Sequence, residues 1–169
     1  MQLDDETLAK YLNDHLAGSV AALKLMGRIC EAHADGPLGM LMTRLRSDIE
    51  YEQTQLRLLL TALGAAESHA AQAFAWLSEK LTRLKIGAGE RDGSGIELFE
   101  ALEALSMGFF GRMSLWRILA VVRDELPLNI DVDSLATRAS RHLGDLEDAR
   151  LAAGLAALSG APHEVAISH

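Results

Sequence analysis

The chain of 169 residues has the length of one ordinary domain, and its 49% hydrophobic and 24% charged residues exclude a disordered protein. Its formal net charge of -8, from 24 acidic and 16 basic residues, opposes binding to nucleic-acid phosphates. No apolar stretch reaches the roughly 18 residues that a membrane span requires. Cys30 is the only cysteine and the first residues lack a signal-peptide pattern, so we expect a soluble cytoplasmic protein.

The first half of the sequence predicts two long helices joined by a short turn. The first helix should begin near Asp4 or Asp5, where acidic side chains suit the positive end of a helix dipole. Apolar residues then recur at spacings of three and four as far as Cys30, and a turn follows at 34–37. The second helix shows the same spacing and should end at Gly64.

A different pattern follows at residues 65–95. A shorter amphipathic segment over 68–84 precedes a polar, glycine-rich stretch at 87–95, which is typical of an exposed loop. This region separates the first two long helices from the last two. It is long enough to contain a crossover connection with a short helix of its own.

The second half of the sequence predicts two more long helices. The third should run from Ile96 to Leu126, where Pro127 ends it. The fourth should begin at a cap formed by Asp131 or Asp133 and continue to about residue 158. The tail from 159 to 169 should be flexible. Proline is scarce and β-branched residues are few, so the fold class is all-α.

The lengths of the connections predict the topology of the bundle. Each short turn should make an antiparallel helix pair, and the long middle region should cross from one end of the bundle to the other. One domain over residues 1–158 would then be an antiparallel four-helix bundle with a long crossover, as in ferritin-like folds. The alternative is an up-down bundle of five helices, in which 68–84 is another wall.

Several short stretches resemble bacterial ferritin-like proteins of uncharacterised function. These are Tyr11-Leu12-Asn13-Asp14-His15-Leu16, Asp48-Ile49-Glu50-Tyr51-Glu52-Gln53, Trp76-Leu77-Ser78-Glu79-Lys80-Leu81 and Leu102-Glu103-Ala104-Leu105-Ser106-Met107-Gly108. With the helix plan, the resemblance covers about residues 5–158. It implies a ferritin-like bundle and an association with stress; the wider superfamily includes di-iron oxidases and iron stores.

The sequence departs from the di-iron pattern of that superfamily. Such a site takes Glu-x-x-His motifs from two helices, and none lies on a long helix of this chain. The nearest matches are the Glu-x-x-Gln formed by Glu52 and Gln55 and the reversed pair His142 and Asp145. Because a neutral amide is a poor iron ligand, we expect no intact di-iron site.

Glu52 is the residue that most directly suggests chemistry. It falls in the middle of the apolar stripe of the second helix, where a carboxylate is costly unless it is paired, protonated or bound to metal. Asp48 lies at the edge of that stripe, and the bundle geometry places His15 and His142 within about one turn of Glu52. His15, Glu52 and His142, with Asp48 as a further ligand, could hold one Fe, Mn or Zn ion.

A metal-free interpretation explains the same residues. Glu52 would pair with an arginine, and His15 and His142 would bond to backbone or carboxylate groups. The arginines near the core stripes are Arg112, Arg117 and Arg150. We expect this interpretation, with no cofactor and no catalytic residue, and keep a mononuclear metal protein or weak metal-dependent oxidase as the alternative.

Two further hypotheses concern partners and ligands. Leu151, Leu155 and Leu158 lie opposite the core side of the fourth helix and predict a second buried face, which a homodimer partner or the 68–84 segment would cover. A small-molecule pocket lined by Phe99, Phe109 and Trp116 is a less favoured possibility. The main expectation is a non-catalytic structural or interaction protein.

Overall fold

A computed structural model describes residues 2–68 and 95–159, and within these ranges the fold is all-α. Four α-helices follow one another: α1 at Asp5–Ala32, α2 at Pro37–Ala62, α3 at Ile96–Val121 and α4 at Val132–Ser159. The two ranges contain no strand, which confirms the predicted fold class. None of these helices combines the length and the apolar character that crossing a membrane requires. The predicted segment at 68–84, the loop at 87–95 and the tail at 159–169 lie almost wholly outside the described residues.

The helix ends follow from local chemistry. The Asp4 carboxylate accepts a hydrogen bond from the backbone N–H of Thr7 at 2.7 Å and caps α1. Asp131 accepts from the backbone N–H of Ser134 at 3.0 Å, so it is Asp131 rather than Asp133 that caps α4. Pro37 occupies the first turn of α2 and needs no hydrogen-bond donor there. Gly64, just after α2, has a φ of 67°, a left-handed conformation that favours glycine.

The predicted end of the third helix at Leu126 is wrong. The helix ends at Val121, and a short 3-10 turn at Arg123–Glu125 follows. Leu126 is extended, with φ and ψ of -69° and 143°, because the ring of Pro127 disfavours the helical conformation in the residue before it. Pro127 therefore keeps Leu126 out of the helix, and the α-helix itself has already ended at Val121.

The helices pack in four pairs, α1 with α2, α3 with α4, α1 with α3 and α2 with α4. Their buried apolar side chains form two clusters. One cluster, which we call the Trp116 cluster, joins the first halves of α1 and α4 to the second halves of α2 and α3. The other, which we call the Phe109 cluster, joins the opposite halves of the four helices. Members of the Trp116 cluster include Leu16, Leu59, Trp116 and Leu135, and those of the Phe109 cluster include Leu25, Leu45, Phe109 and Leu146.

Polar contacts between α1 and α2 show the same pairing of opposite helix halves. Cys30 near the end of α1 contacts Thr43 near the start of α2, whereas Ser19 accepts a hydrogen bond from Gln53 further along α2. A polar layer lies where the two apolar clusters meet, at the level of Glu52. This layer contains the residues from which the sequence predicted chemistry.

Candidate functional site

Glu52 lies on α2 in the interior of the bundle and is only 2% exposed. Its Oε2 accepts a hydrogen bond from the indole Nε1–H of Trp116 at 2.7 Å. The same oxygen lies 3.0 Å from Nε of Arg112, which is 8% exposed. The guanidinium of Arg112 also lies over the Phe109 ring, 4.7 Å from its centroid. The buried carboxylate is therefore compensated by one cation and one neutral donor.

Arg112 connects Glu52 to His142 on α4. Its Nη2 lies 2.8 Å from Nδ1 of His142, which is 1% exposed. A guanidinium can only donate, so Nδ1 must accept and the imidazole proton must sit on Nε2. Nε2 lies 3.1 Å from a carboxylate oxygen of Asp48. The environment thus selects the neutral Nε2–H tautomer of His142.

Asp48 on α2 connects His142 to a further arginine. Its second oxygen pairs with Nη1 of Arg138 at 3.4 Å, and Arg138 in turn lies over the ring of Tyr51. We call the connected set the polar network; its members are Trp116, Glu52, Arg112, His142, Asp48 and Arg138. It joins α2, α3 and α4 through side chains.

Burial governs the protonation behaviour of the network. Removal from water raises the pKa of Glu52, while the charge of Arg112 and the hydrogen bond from Trp116 act in the opposite direction. Burial also lowers the pKa of Arg112, which the Glu52 charge opposes. The pKa of His142 is lowered to about 4, first by burial and then by the positive charge of Arg112. His142 is therefore neutral at physiological pH.

His15 lies outside the polar network. It lies half-buried on α1, with its ring edge-to-face against Tyr11 at a centroid distance of 4.6 Å. Burial lowers its pKa, and Asp14 partly offsets this effect. Glu52 and His142 both contact Arg112, whereas His15 does not contact it but lines a cavity that Glu52 and Arg112 also line.

Of the predicted metal ligands, Glu52, Asp48 and His142 lie in the polar network and His15 lies outside it. Within residues 2–68 and 95–159, no group of three or more His, Cys, Asp or Glu side chains is placed to hold a metal ion. The lone pair of His142 Nδ1 faces Arg112, and its Nε2, which carries the proton, lies 3.1 Å from Asp48. The guanidinium of Arg112 stands between Glu52 and His142.

A cavity of about 230 Å³ lies between α1, α2 and α3, beside the polar network. Its wall is mainly apolar, and Glu52 and Arg112 are also part of it. Phe109 and Trp116, two of the three residues predicted for a pocket, line this cavity. Phe99 does not, because its ring packs against Gly154 on α4 and under Arg150.

Sequence reasoning identified Glu52 as a core carboxylate but did not choose its arginine partner. Arg150 pairs with Glu147 and Glu103 near the surface instead. A signal for Arg112 was present, because it lies three residues after Phe109 and four before Trp116 and so shares their helix face. The hydrogen bond from Trp116 to Glu52 had no comparable signal. No family model, curated protein or solved structure matches this chain.

Proposed function

We propose that this protein is a non-catalytic helical bundle with a structural or interaction role, and that its polar centre is an ion-pair network rather than a metal-dependent active site. The observation that carries the proposal is the position of Arg112, 3.0 Å from Glu52 and 2.8 Å from His142. Two of the three candidate metal ligands are thereby committed to the same cation.

Electrostatics supports this proposal. A divalent ion bound between Glu52 and His142 would meet a guanidinium inside a region of low dielectric, where like charges repel strongly. Moving Arg112 aside would leave its charge buried without Glu52, which is also costly. An ion-pair network of this kind can fix the register of neighbouring helices, and here it links α2, α3 and α4 at one level.

The order of contacts supports the ferritin-like topology that we include in this proposal. α1 and α2 contact in reversed residue order, as do α3 and α4, where Arg112 contacts His142 and Phe99 contacts Gly154. α2 ends in the Trp116 cluster and α3 begins in the Phe109 cluster. An antiparallel bundle with a long crossover accounts for this order, and an up-down five-helix bundle accounts for it less simply.

The outer face of α4 favours a homodimer as the form in which this role is exercised. Leu151, Leu155 and Leu158 are 55%, 73% and 78% exposed, and their spacing of four and three places them on one side of the helix. Exposed apolar stripes of this kind mark interaction sites. A two-fold partner would bury the stripe against its own copy.

Elemental analysis tests the absence of a metal site. The wild type, Glu52→Ala and His15→Ala would be incubated with Fe(II), Mn(II) or Zn(II), desalted and analysed side by side. We expect substoichiometric metal in all three proteins, with no difference between them. Near-stoichiometric metal in the wild type, lost in both variants, would overturn the proposal and establish the mononuclear alternative.

A further inference from the structure

The outer face of α1 is buried in the middle of the helix. Ala17 and Ala21 are only 5% and 0% exposed. Each lies two residues from Ser19 and therefore about 160° around the helix from it, at roughly 100° per residue. Ser19 faces the interior, where its hydroxyl accepts a hydrogen bond from the buried Gln53 on α2. Ala17 and Ala21 thus point away from the bundle and are nevertheless covered.

The described helices do not account for this cover. α1 packs against α2 and α3, which both lie on its inner side. Asp14 and Lys24 share the outer face with Ala17 and Ala21, about one turn before and after them, and both are exposed. The two alanines are buried within one chain, so a second copy is not the cover. The source that remains is the part of the chain outside the described ranges.

Residues 69–94 start beside this face of α1. The side chain of Asn13 donates a hydrogen bond to the carbonyl of Ala66 at 3.2 Å and accepts one from the backbone N–H of Ser68 at 2.7 Å. Asn13 is itself only 6% exposed and lies one turn before Ala17. The chain that leaves α2 is therefore held against α1 at Ser68.

The chain returns further along α1, at the start of α3. The two helices run side by side, because a Cβ added at Gly111 on α3 would lie 4.0 Å from the ring of His15 on α1. Gly95, the N-cap of α3, lies roughly 24 Å before Gly111 at about 1.5 Å per residue. Even a helix of about 20 residues spans about 30 Å, so residues 69–94 are long enough to follow α1 over this distance.

We propose that residues 69–94 dock along the outer face of α1, over Ala17 and Ala21, between α2 and α3. The small side chains of the two alanines let another segment approach the helix closely. The sequence supplies apolar residues at the spacing of one helix face, which are Phe74, Leu77 and Leu81. This interaction goes beyond the proposed function. It keeps the segment away from the apolar stripe on α4, because α1 and α4 do not form one of the four packed pairs.

Paramagnetic NMR tests where the segment docks. A nitroxide would be attached at Glu79→Cys in a Cys30→Ser background, because Cys30 is the only native cysteine. An excess of protein at natural isotope abundance confines the effect to one chain. Relative to the reduced label, the amide signals of Ala17 and Ala21 should lose most of their intensity, and those of the apolar stripe on α4 should keep theirs. Full intensity at Ala17 and Ala21, or a loss on the α4 stripe instead, would overturn the proposal.

A charge beneath the segment should weaken the docking. Ala21→Lys should lower the urea midpoint and restore the intensity of the Ala17 signal, because the ammonium cannot be buried without a partner. Thr137→Lys is the matched control, since Thr137 is exposed on α4, and it should leave the midpoint and the intensity loss unchanged. An uncovered outer face would tolerate a lysine as other surfaces do. Equal midpoints for the two lysine variants would therefore contradict the docking.

Discussion

Arg112 is the residue on which the buried centre depends. It forms an ion pair with Glu52, donates a hydrogen bond to His142 and stacks on Phe109, all within a region that excludes most water. Removing one partner of such a pair costs more than removing both, because the remaining charge stays buried without compensation. This asymmetry makes the role of Arg112 measurable.

Arg112→Met should destabilise the fold by about 3–5 kcal/mol because it leaves the Glu52 carboxylate unpaired. Glu52→Gln/Arg112→Met should recover about 1–3 kcal/mol of that loss, since the amide carries no charge and can still accept from Trp116. Urea unfolding of the wild type, both single variants and the double variant gives the coupling. Additive losses would mean that Glu52 and Arg112 do not form the ion pair described here.

His142 should make stability depend on pH. Its pKa is 6.5 when unfolded and about 4 in the folded protein, so the unfolded chain takes up a proton first as the pH falls. The stability that neutral His142 contributes is complete above the unfolded value and is lost as the pH falls from 6.5 towards 4. The maximum loss is about 3 kcal/mol, from the separation of the two pKa values.

His142→Gln isolates this effect. Glutamine can accept from Arg112 and donate to Asp48 but does not titrate, so its unfolding free energy should fall less than that of the wild type between neutral and acidic pH. The comparison is necessary because the raised pKa of Glu52 acts in the opposite direction over part of this range. Parallel pH profiles for the two proteins would contradict the lowered pKa of His142.

The sequence allowed some site residues to be predicted but not their pairing. Glu52 was identifiable because its position on an apolar stripe follows from the helix period alone. His15 and His142 both lie near the edge of their stripes, and a small rotation of a helix decides which one points inward. The structure turns His142 inward and leaves His15 half-buried beside Tyr11, a difference that the sequence pattern does not contain.

At the scale of single elements, the tight turn between α1 and α2 depends on Gly39. A Cβ added there would lie 2.9 Å from the carbonyl carbon of His33 and would clash with its oxygen. These are backbone atoms, which cannot move aside as the end of a side chain can. The close approach therefore requires glycine, although Gly39 lies inside a helix where alanine is intrinsically preferred.

Two glycine-to-alanine variants should have opposite effects. Gly39→Ala should destabilise the fold by about 1–3 kcal/mol because the turn must open to accept the methyl group. Gly108→Ala, at an open helical position, should stabilise it by about 0.5–1 kcal/mol. Thermal or urea unfolding measures both. Stabilisation of both variants would show that helix α2 can start without the close contact to His33.

Helix ends were predictable where a side chain or a proline fixes them directly. Asp4, Asp131 and Pro37 occupy the positions that their chemistry favours. The end of α3 was misplaced because Pro127 constrains Leu126 before it, and the 3-10 turn at Arg123–Glu125 then takes up the intervening residues. An apolar pattern continues through such a turn without revealing it.

At the scale of the whole molecule, we predict a homodimer that forms through the apolar stripe on α4. Leu155→Glu should convert a homodimer to a monomer, because it places a charge in the centre of the stripe. Val121→Glu is a matched control, since Val121 is also exposed but lies on α3. Sedimentation velocity distinguishes the species. A wild type that sediments as a monomer, or a dimer that neither variant dissociates, would contradict the proposed interface.

The class of the fold was predictable from the sequence, whereas its function was not. Composition and helical periodicity are sufficient for an all-α chain with four long helices, because each signal is local. Whether the buried polar residues pair with one another or bind a metal depends on which side chains meet between helices. Arg112 contacts Glu52 on α2 and His142 on α4, and these contacts between helices do not follow from a local pattern alone.

Urea unfolding with and without metal tests most directly whether the centre is a metal-free network. The wild type and Glu52→Gln would each be unfolded in EDTA and in saturating Fe(II), Mn(II) or Zn(II). A ligand that binds only the folded state must raise its stability. We predict the same midpoint for the wild type in every condition. A midpoint that rises with one of these metals in the wild type, but not in Glu52→Gln, would contradict the account.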